Sequence, residues 1–417
     1  MARSCRASTR ICRSGPCPRK HFPGYRAACF VNTQIPLALY VHMPWCVRKC
    51  PYCDFNSHGV RGEVPYAGYV DSLLADLDGD LADFSTALDG REVLSIFFGG
   101  GTPSLFDATQ IARVLDGVRQ RLPLASDCEI TLETNPGTVE HGRFDGYREA
   151  GVNRLSFGVQ SFDDAMLRRL GRIHSAAEAE VAVREARHAG FDNFNIDLMY
   201  ALPQQTLGGA LHDIERAAAL QPAHISHYQL TLEPGTAFAN RPPAGLPEDD
   251  AAWDIQHACQ EQLALAGYAQ YEISAYAQPQ RRCRHNLNYW QFGDYLGIGA
   301  GAHGKITDTS NSRITRRWKR KLPLAWMRKA SSPDRIEGEA QIAASELPFE
   351  YMLNALRLIE GVPMREFSER TGLPPDASAT ARQQAIARGW LVDDTERLQT
   401  TKLGQRFLND VIALFMP

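Results

Sequence analysis

The chain has 417 residues, of which 44% are apolar and 22% charged, and its formal net charge is −3. This composition belongs to a globular protein of two or three domains, and the small charge excludes a global field that would pull it onto nucleic acid or an anionic membrane. No apolar run approaches the ~18 residues of a transmembrane helix, and ten cysteines in so long a chain do not make a secreted disulfide framework.

Residues 1–36 hold seven Lys and Arg, no acid, and four irregularly spaced cysteines, Cys5, Cys12, Cys17 and Cys29. An Arg-rich, acid-free start suits a mitochondrial transit peptide. Pro and Gly interrupt any amphipathic period here, which favours a disordered basic extension instead.

From residue 37, short β-rich apolar runs alternate with longer helical ones. Strands are expected at 37–44, 94–101, 129–136, 154–162, 194–203 and 224–234. Helices are expected at 67–84, 107–122, 143–150, 175–189, 206–220 and 249–266. Six β-then-α units in series need parallel strands with crossovers, which wind into an open sheet or a partial barrel. The unusual polar residues gather at strand ends. "PWCVRKCPYCDFNSH" (44–58) follows the first strand and "GGGTPS" (99–104) ends the second. Glu133 and Asn135, then Gln160, end the next two; Asp197 and Thr231 lie on the last two. In α/β barrels chemistry collects at the carboxyl ends of strands.

After about residue 275 the pattern changes. "RRCRHNLNYWQFGDYLGIGAGAHGK" (281–305) is rich in glycine and aromatics, and 313–329 packs eight basic residues around Trp318 and Trp326. Residues 276–345 therefore read as a linker segment. The stretch 346–417 reads as three helices, a short hairpin from "GWLVDD" and "RLQTT", and a helix over 401–415: a winged-helix-like α+β outline. Its ten acidic and eight basic residues make it a poor phosphate binder, so nucleic acid is not expected as a partner.

Cys46, Cys50 and Cys53 carry the chemistry. Structural zinc and closed iron–sulfur clusters want four protein ligands, whereas this loop offers three and suggests a centre with one open position. Zinc is the alternative, with His58 the nearest fourth ligand at an unusual spacing. The Cys-x3-Cys-x2-Cys run, the aromatic Tyr52 before its third cysteine, and "GGGTPS" on the second unit resemble the radical S-adenosylmethionine (SAM) superfamily. "YVHMPWCVRKCPYCDF", "LETNPG", "GVQSF", "NIDLMYALP" and "HNLNYW" narrow the resemblance to the oxygen-independent coproporphyrinogen III oxidase group, and within it the HemW-type haem chaperones. It covers everything from about residue 36 onward.

The resemblance implies a partial (β/α)6 TIM-type barrel over 37–275 with a C-terminal winged-helix-like domain over 346–417. It implies a [4Fe–4S] cluster on Cys46, Cys50 and Cys53. SAM would be met by Tyr40, Gly100, Gly101, Thr102, Glu133, Gln160, Arg172 and Asp197, with Tyr52, Thr231 and His303 as less certain contacts. Haem is the implied cargo, with His285 as an axial ligand, Tyr289 and Trp290 against the porphyrin, and the basic segment from Arg313 near the propionates. Packing of the joint between barrel and C-terminal domain is the competing role for those aromatics. The implied partners are haem-accepting proteins such as respiratory cytochromes, met in the cytoplasm or, if the basic start is a transit peptide, in mitochondria. Transient membrane contact and a homodimer are compatible with the sequence. Phe55 departs from the oxidase pattern, which carries a fourth cysteine there, and so favours the chaperone over the radical decarboxylase. Ala201 stands where the family often has glycine.

Overall fold

The computed structural model describes residues 35–137 and 144–417. The basic extension, its four cysteines and the transit-peptide reading lie outside the described residues, apart from Ile35 and Pro36.

The six β/α units are present. Strands β1 (Leu37–Met43), β2 (Val93–Gly100), β3 (Leu124–Thr134), β4 (Arg154–Gln160), β5 (Phe194–Tyr200) and β6 (His224–Gln229) are each followed by a longer helix. These helices are α1 (Tyr66–Asp83), α2 (Ala108–Arg119), α3 (Phe144–Ala150), α4 (Ala176–His188), α5 (Leu207–Ala219) and α6 (Asp249–Leu265). Local chemistry sets several starts. Asp107 and Thr206 cap α2 and α5, and Ser175 with Glu178 forms a reciprocal capping box on α4. All seven residues of both β4 and β5 are buried, as expected of parallel strands covered on both faces. The outward Leu37, Leu39 and Val41 of β1 join Tyr69, Val70, Leu73 and Leu77 of α1 in the main core. Each such aliphatic side chain contributes about 1.5–3 kcal/mol on burial.

The sheet is larger than six strands. Continuing in chain order, β7 (Ala269–Glu272), β8 (Ala275–Ala277), β9 (Asp294–Ile298), β10 (His303–Asp308), β11 (Arg313–Lys319) and β12 (Ile336–Gln341) bring it to twelve, in the order β12-β11-β10-β9-β1-β2-β3-β4-β5-β6-β8-β7. Strand β9 runs parallel to β1, with Tyr40 opposite Gly297, while β10, β11 and β12 add on antiparallel. The stretch read as a linker is thus partly an extension of the sheet. The barrel is open, since the end strands β12 and β7 do not pair with each other.

The basic run does not stand free. Alternation on β11 turns Arg317 and Lys319 onto Asp76, Asp80 and Asp83 of α1, where Arg335 joins them. Lys319 also contacts the Asp76 carboxylate directly. Arg316 is held by Glu350. These side chains tie the extension to the barrel, which withdraws Arg316, Arg317 and Lys319 from the propionate role expected of the segment.

The C-terminal unit has helices at Leu347–Ala355, Met364–Thr371 and Ala379–Ala387. The expected hairpin is reduced to a bridge between Leu391 and Thr400, and Arg397–Leu398 pairs instead with Val362–Pro363. The last helix is broken at Phe407 into Lys402–Arg406 and Leu408–Ala413. Its core is shared: Tyr351, Met352 and Phe367 pack in one cluster with Tyr271, Trp290, Phe292 and Ile314.

Candidate functional site

The carboxyl ends of β1 and β2 lie side by side, Met43 opposite Gly100. That register sets the cysteine loop against the glycine segment. The Gly101 amide donates to Met43 O at 2.7 Å and the Thr102 amide to Trp45 O at 2.7 Å. A Cβ at Gly101 would lie 2.5 Å from Trp45 O, and Gly100 has φ +113°, so both positions need glycine.

The loop is fastened from the other side by Asn56. Its Nδ2 donates to Ala300 O at 2.9 Å and to Lys321 O at 2.8 Å, while its carbonyl accepts from His42 Nε2 at 2.9 Å. Burial lowers the His42 pKa to about 4, so the ring is neutral and its Nδ1 accepts from the Tyr40 hydroxyl at 3.0 Å.

A cavity of about 900 Å³, including its open mouth, lies at this rim. Cys46, Cys50, Cys53, Tyr52, Gly100, Gly101, Thr102, Glu133, Gln160, Arg172, Asp197 and Thr231 all line it. Two expected contacts do not. Tyr40 sits below, against His42 and Phe97. His303 is exposed at the start of β10, its ring 6.4 Å from that of Trp318.

The wall is charge-matched. Arg172 donates to Asn135 Oδ1 at 2.5 Å and Gly158 O at 2.6 Å, and its Nη1 is 3.6 Å from Cys50 Sγ. Burial opposes the guanidinium charge, but Tyr52 and Cys50 outweigh it and raise the pKa. Asn135 passes the contact on to Thr102 Oγ1 at 2.8 Å. Burial, reinforced by Asp197, pushes the Glu133 carboxyl up to about 7, while Gly100 N donates to it at 3.3 Å. Asp197 accepts from Asn195 Nδ2 at 2.9 Å and Ser156 Oγ at 3.5 Å. Gln160 holds a left-handed φ of 74° at the end of β4, and its Oε1 accepts from Tyr228 OH at 2.7 Å. Such a backbone conformation persists where surrounding contacts fix it, often beside a ligand.

Ser156, Gly158, Tyr228 and Glu233 line the cavity without having been singled out in the sequence. For Ser156 and Gly158 the signal was there: they share a strand face with Gln160.

The three thiols suit a cubane. All three cysteines are free, half-buried and open on the same cavity. Burial raises the Cys46 thiol to about 11 and also raises Cys53, so the thiols must lose protons when metal arrives. Arg172 and Lys49, the latter donating to Phe55 O at 2.8 Å, bring positive charge to the loop. Beyond the thiols, the remaining wall offers carboxylates, a guanidinium and bare backbone. That is the donor set for a ligand carrying an ammonium, a carboxylate and ribose hydroxyls.

The HNLNYW residues lie elsewhere, on α7 (Arg284–Trp290) at the closed joint between sheet and C-terminal unit. His285 is 1% exposed, and its Nδ1 is 3.0 Å from Ser95 Oγ. Tyr289 packs against Tyr295 and His285, and Arg357 covers the buried Trp290 at 4.3 Å. The joint would have to open before haem iron could reach His285.

A profile of the radical SAM superfamily matches residues 40–233, and one of the HemN C-terminal domain matches 342–407. Proteins named heme chaperone HemW are similar over most of their length. That of Escherichia coli is 51% identical, and that of Haemophilus influenzae 49%, each match spanning 91% of this chain and 98% of the relative. The solved coproporphyrinogen III oxidase HemN of E. coli superposes with a TM-score of 0.76 over 92% of this chain and 90% of that one. Its sequence is 23% identical, so the likeness is one of fold.

Proposed function

Because the chain belongs to the radical SAM superfamily and, within it, to the HemW family, we propose that it is a haem chaperone that holds a [4Fe–4S] cluster and SAM and passes haem to acceptor proteins such as respiratory cytochromes. The observation that carries this reading is the single cavity in which the cysteine trio, the glycine segment, Glu133, Arg172 and Asp197 open together.

Cys46, Cys50 and Cys53 would hold the cluster, which when reduced would supply one-electron chemistry toward a bound sulfonium. The protein's own part is positioning. Gly100 and Gly101, which line the cavity without side chains, would let the amino-acid end of SAM approach, with Glu133 and Asp197 toward its cationic and hydroxyl groups and Arg172 toward its carboxylate. Work in the reducing cytoplasm would keep the thiols ready for iron.

A radical decarboxylase of porphyrinogen propionates is the second reading, suggested by the resemblance of the cysteine and glycine motifs to the oxidase group. Phe55 speaks against it, because it lines the cavity where the oxidase pattern carries a further cysteine. Anaerobic reconstitution followed by haem titration tests the chaperone: a shifted Soret band together with no conversion of coproporphyrinogen III supports it. Conversion to protoporphyrinogen, given reductant and SAM, would transfer the assignment to the enzyme. Zinc in place of iron and sulfide in anaerobically purified protein would end both.

A further inference from the structure

We propose that haem docks on the strand extension of the inner sheet face, with the His303 imidazole as an axial ligand to its iron; this rests on the haem-chaperone reading above.

The sheet register builds the place. Phe97 is opposite Tyr40, and Tyr40 opposite Gly297. Beyond them His303 is opposite Trp318, and Trp318 opposite Gly338. Gly297 bears no side chain, and a Cβ there would meet the His303 carbonyl oxygen at 1.9 Å. Trp318 lies over Gly338, whose Cβ position is 2.2 Å from the indole. Past Tyr40, the side chains standing on this row are therefore His303 and Trp318. Their rings are stacked 22° from parallel, so the indole steadies the imidazole and offers an apolar edge to a flat ligand.

Chemistry selects the ligand. Imidazole is a common protein ligand of haem iron. Among the described residues, the other exposed histidines, His188, His212 and His257, sit on helices α4, α5 and α6. His303 is the exposed one on a strand. Haem also brings two propionates, and the exposed Lys321 stands beside the cysteine loop, where Asn56 Nδ2 donates to its carbonyl at 2.8 Å; the neighbouring Arg320 is committed to the Asp334 carbonyl. His285 is enclosed at 1% exposure, its Nδ1 3.0 Å from Ser95 Oγ and its Nε2 without a hydrogen-bond partner among the described residues, so haem reaches it only if the joint opens.

The test is an anaerobic haem titration of the full chain, followed at the Soret band, with SAM binding measured on the same samples. His303→Ala should weaken haem binding at least tenfold while cluster content and circular dichroism match the unaltered protein. His303→Met should retain haem but move the Soret maximum and the spin state, because a thioether replaces the imidazole; a merely structural role would not produce this signature. His285→Ala should keep the original spectrum. Unchanged affinity and spectrum in both His303 variants would overturn the assignment, as would loss of SAM binding with haem unaffected. If the unaltered chain binds no haem, the chaperone reading itself falls, an outcome distinct from failure of the His303 variants alone.

Discussion

Arg172 reaches past the cavity wall to Cys50: one guanidinium nitrogen stands 3.6 Å from the thiol sulfur while the other holds Asn135 at 2.5 Å. Through Asn135 the contact continues to Thr102, so one side chain links the cluster loop, the end of β3 and the glycine segment. Replacing Arg172 with Leu leaves the Asn135 carbonyl and the Gly158 carbonyl without their donor. Hydrogen bonds to charged groups are worth about 1.5–3 kcal/mol, so SAM affinity should fall between tenfold and a few hundredfold. Equilibrium dialysis of reconstituted protein checks this, and iron content should change far less than affinity.

Glu133 gives SAM binding a pH dependence. Its carboxyl titrates near 7 because burial and Asp197 both disfavour the charge. A cationic ligand needs the carboxylate. Affinity should therefore be full above pH 7 and decline as the pH falls through 7, by up to tenfold per unit below it. Glu133→Gln should flatten the profile and bind weakly throughout. A binding curve measured from pH 6 to pH 8.5 shows whether the slope follows this residue.

Lys319 is 1% exposed at the side chain and is paired with Asp76 and Asp80. Burial pushes Asp76 up to about 6 even with this lysine beside it, which shows how dry the site is. Lys319→Met strips one cation and leaves the acids under-compensated. Breaking a buried pair in this way costs about 3–5 kcal/mol. Urea unfolding should show that loss, and replacing exposed Lys329 by Met should show almost none.

Ala201 adopts φ 55° immediately after β5. A left-handed conformation costs a Cβ-bearing residue about 1–2 kcal/mol, and glycine escapes that cost at the expense of a more flexible unfolded chain and some lost packing. Ala201→Gly should therefore be neutral to about 1 kcal/mol stabilising, whereas Ala201→Val should destabilise. Denaturant midpoints for the pair decide it.

The six β/α units were legible because each fixes its own period. All six strands and all six helices are present, although β3 begins at Leu124, earlier than expected, and β5 and β6 stop at Tyr200 and Gln229. The cysteine loop and glycine segment were legible for the same reason: both sit in short runs of special residue types. What escaped was non-local. Strand β9 is hidden in a glycine-rich run and finds its partner β1 some 250 residues earlier, so no local pattern announces it. The basic run was read as a partner for haem propionates, yet Arg317 and Lys319 face acids on α1. Asp76, Asp80 and Asp83 fall on one face of that helix at i, i+4 and i+7, a signal that three carboxylates awaited buried cations. For HNLNYW, packing of the joint was one of two readings, and the sequence could not choose it, since burial depends on how the C-terminal helices close over α7.

The common core beneath Tyr351 and Trp290 makes the two halves of the chain inseparable in engineering terms. Excising everything after the sheet would lay bare a greasy scar on the barrel's flank, and transplanting the terminal helices elsewhere would rob them of Tyr271, Trp290, Phe292 and Ile314 from their own interior. Chimeras between relatives should therefore exchange residues from about 270 onward as one block, rather than cutting at the apparent border near 345.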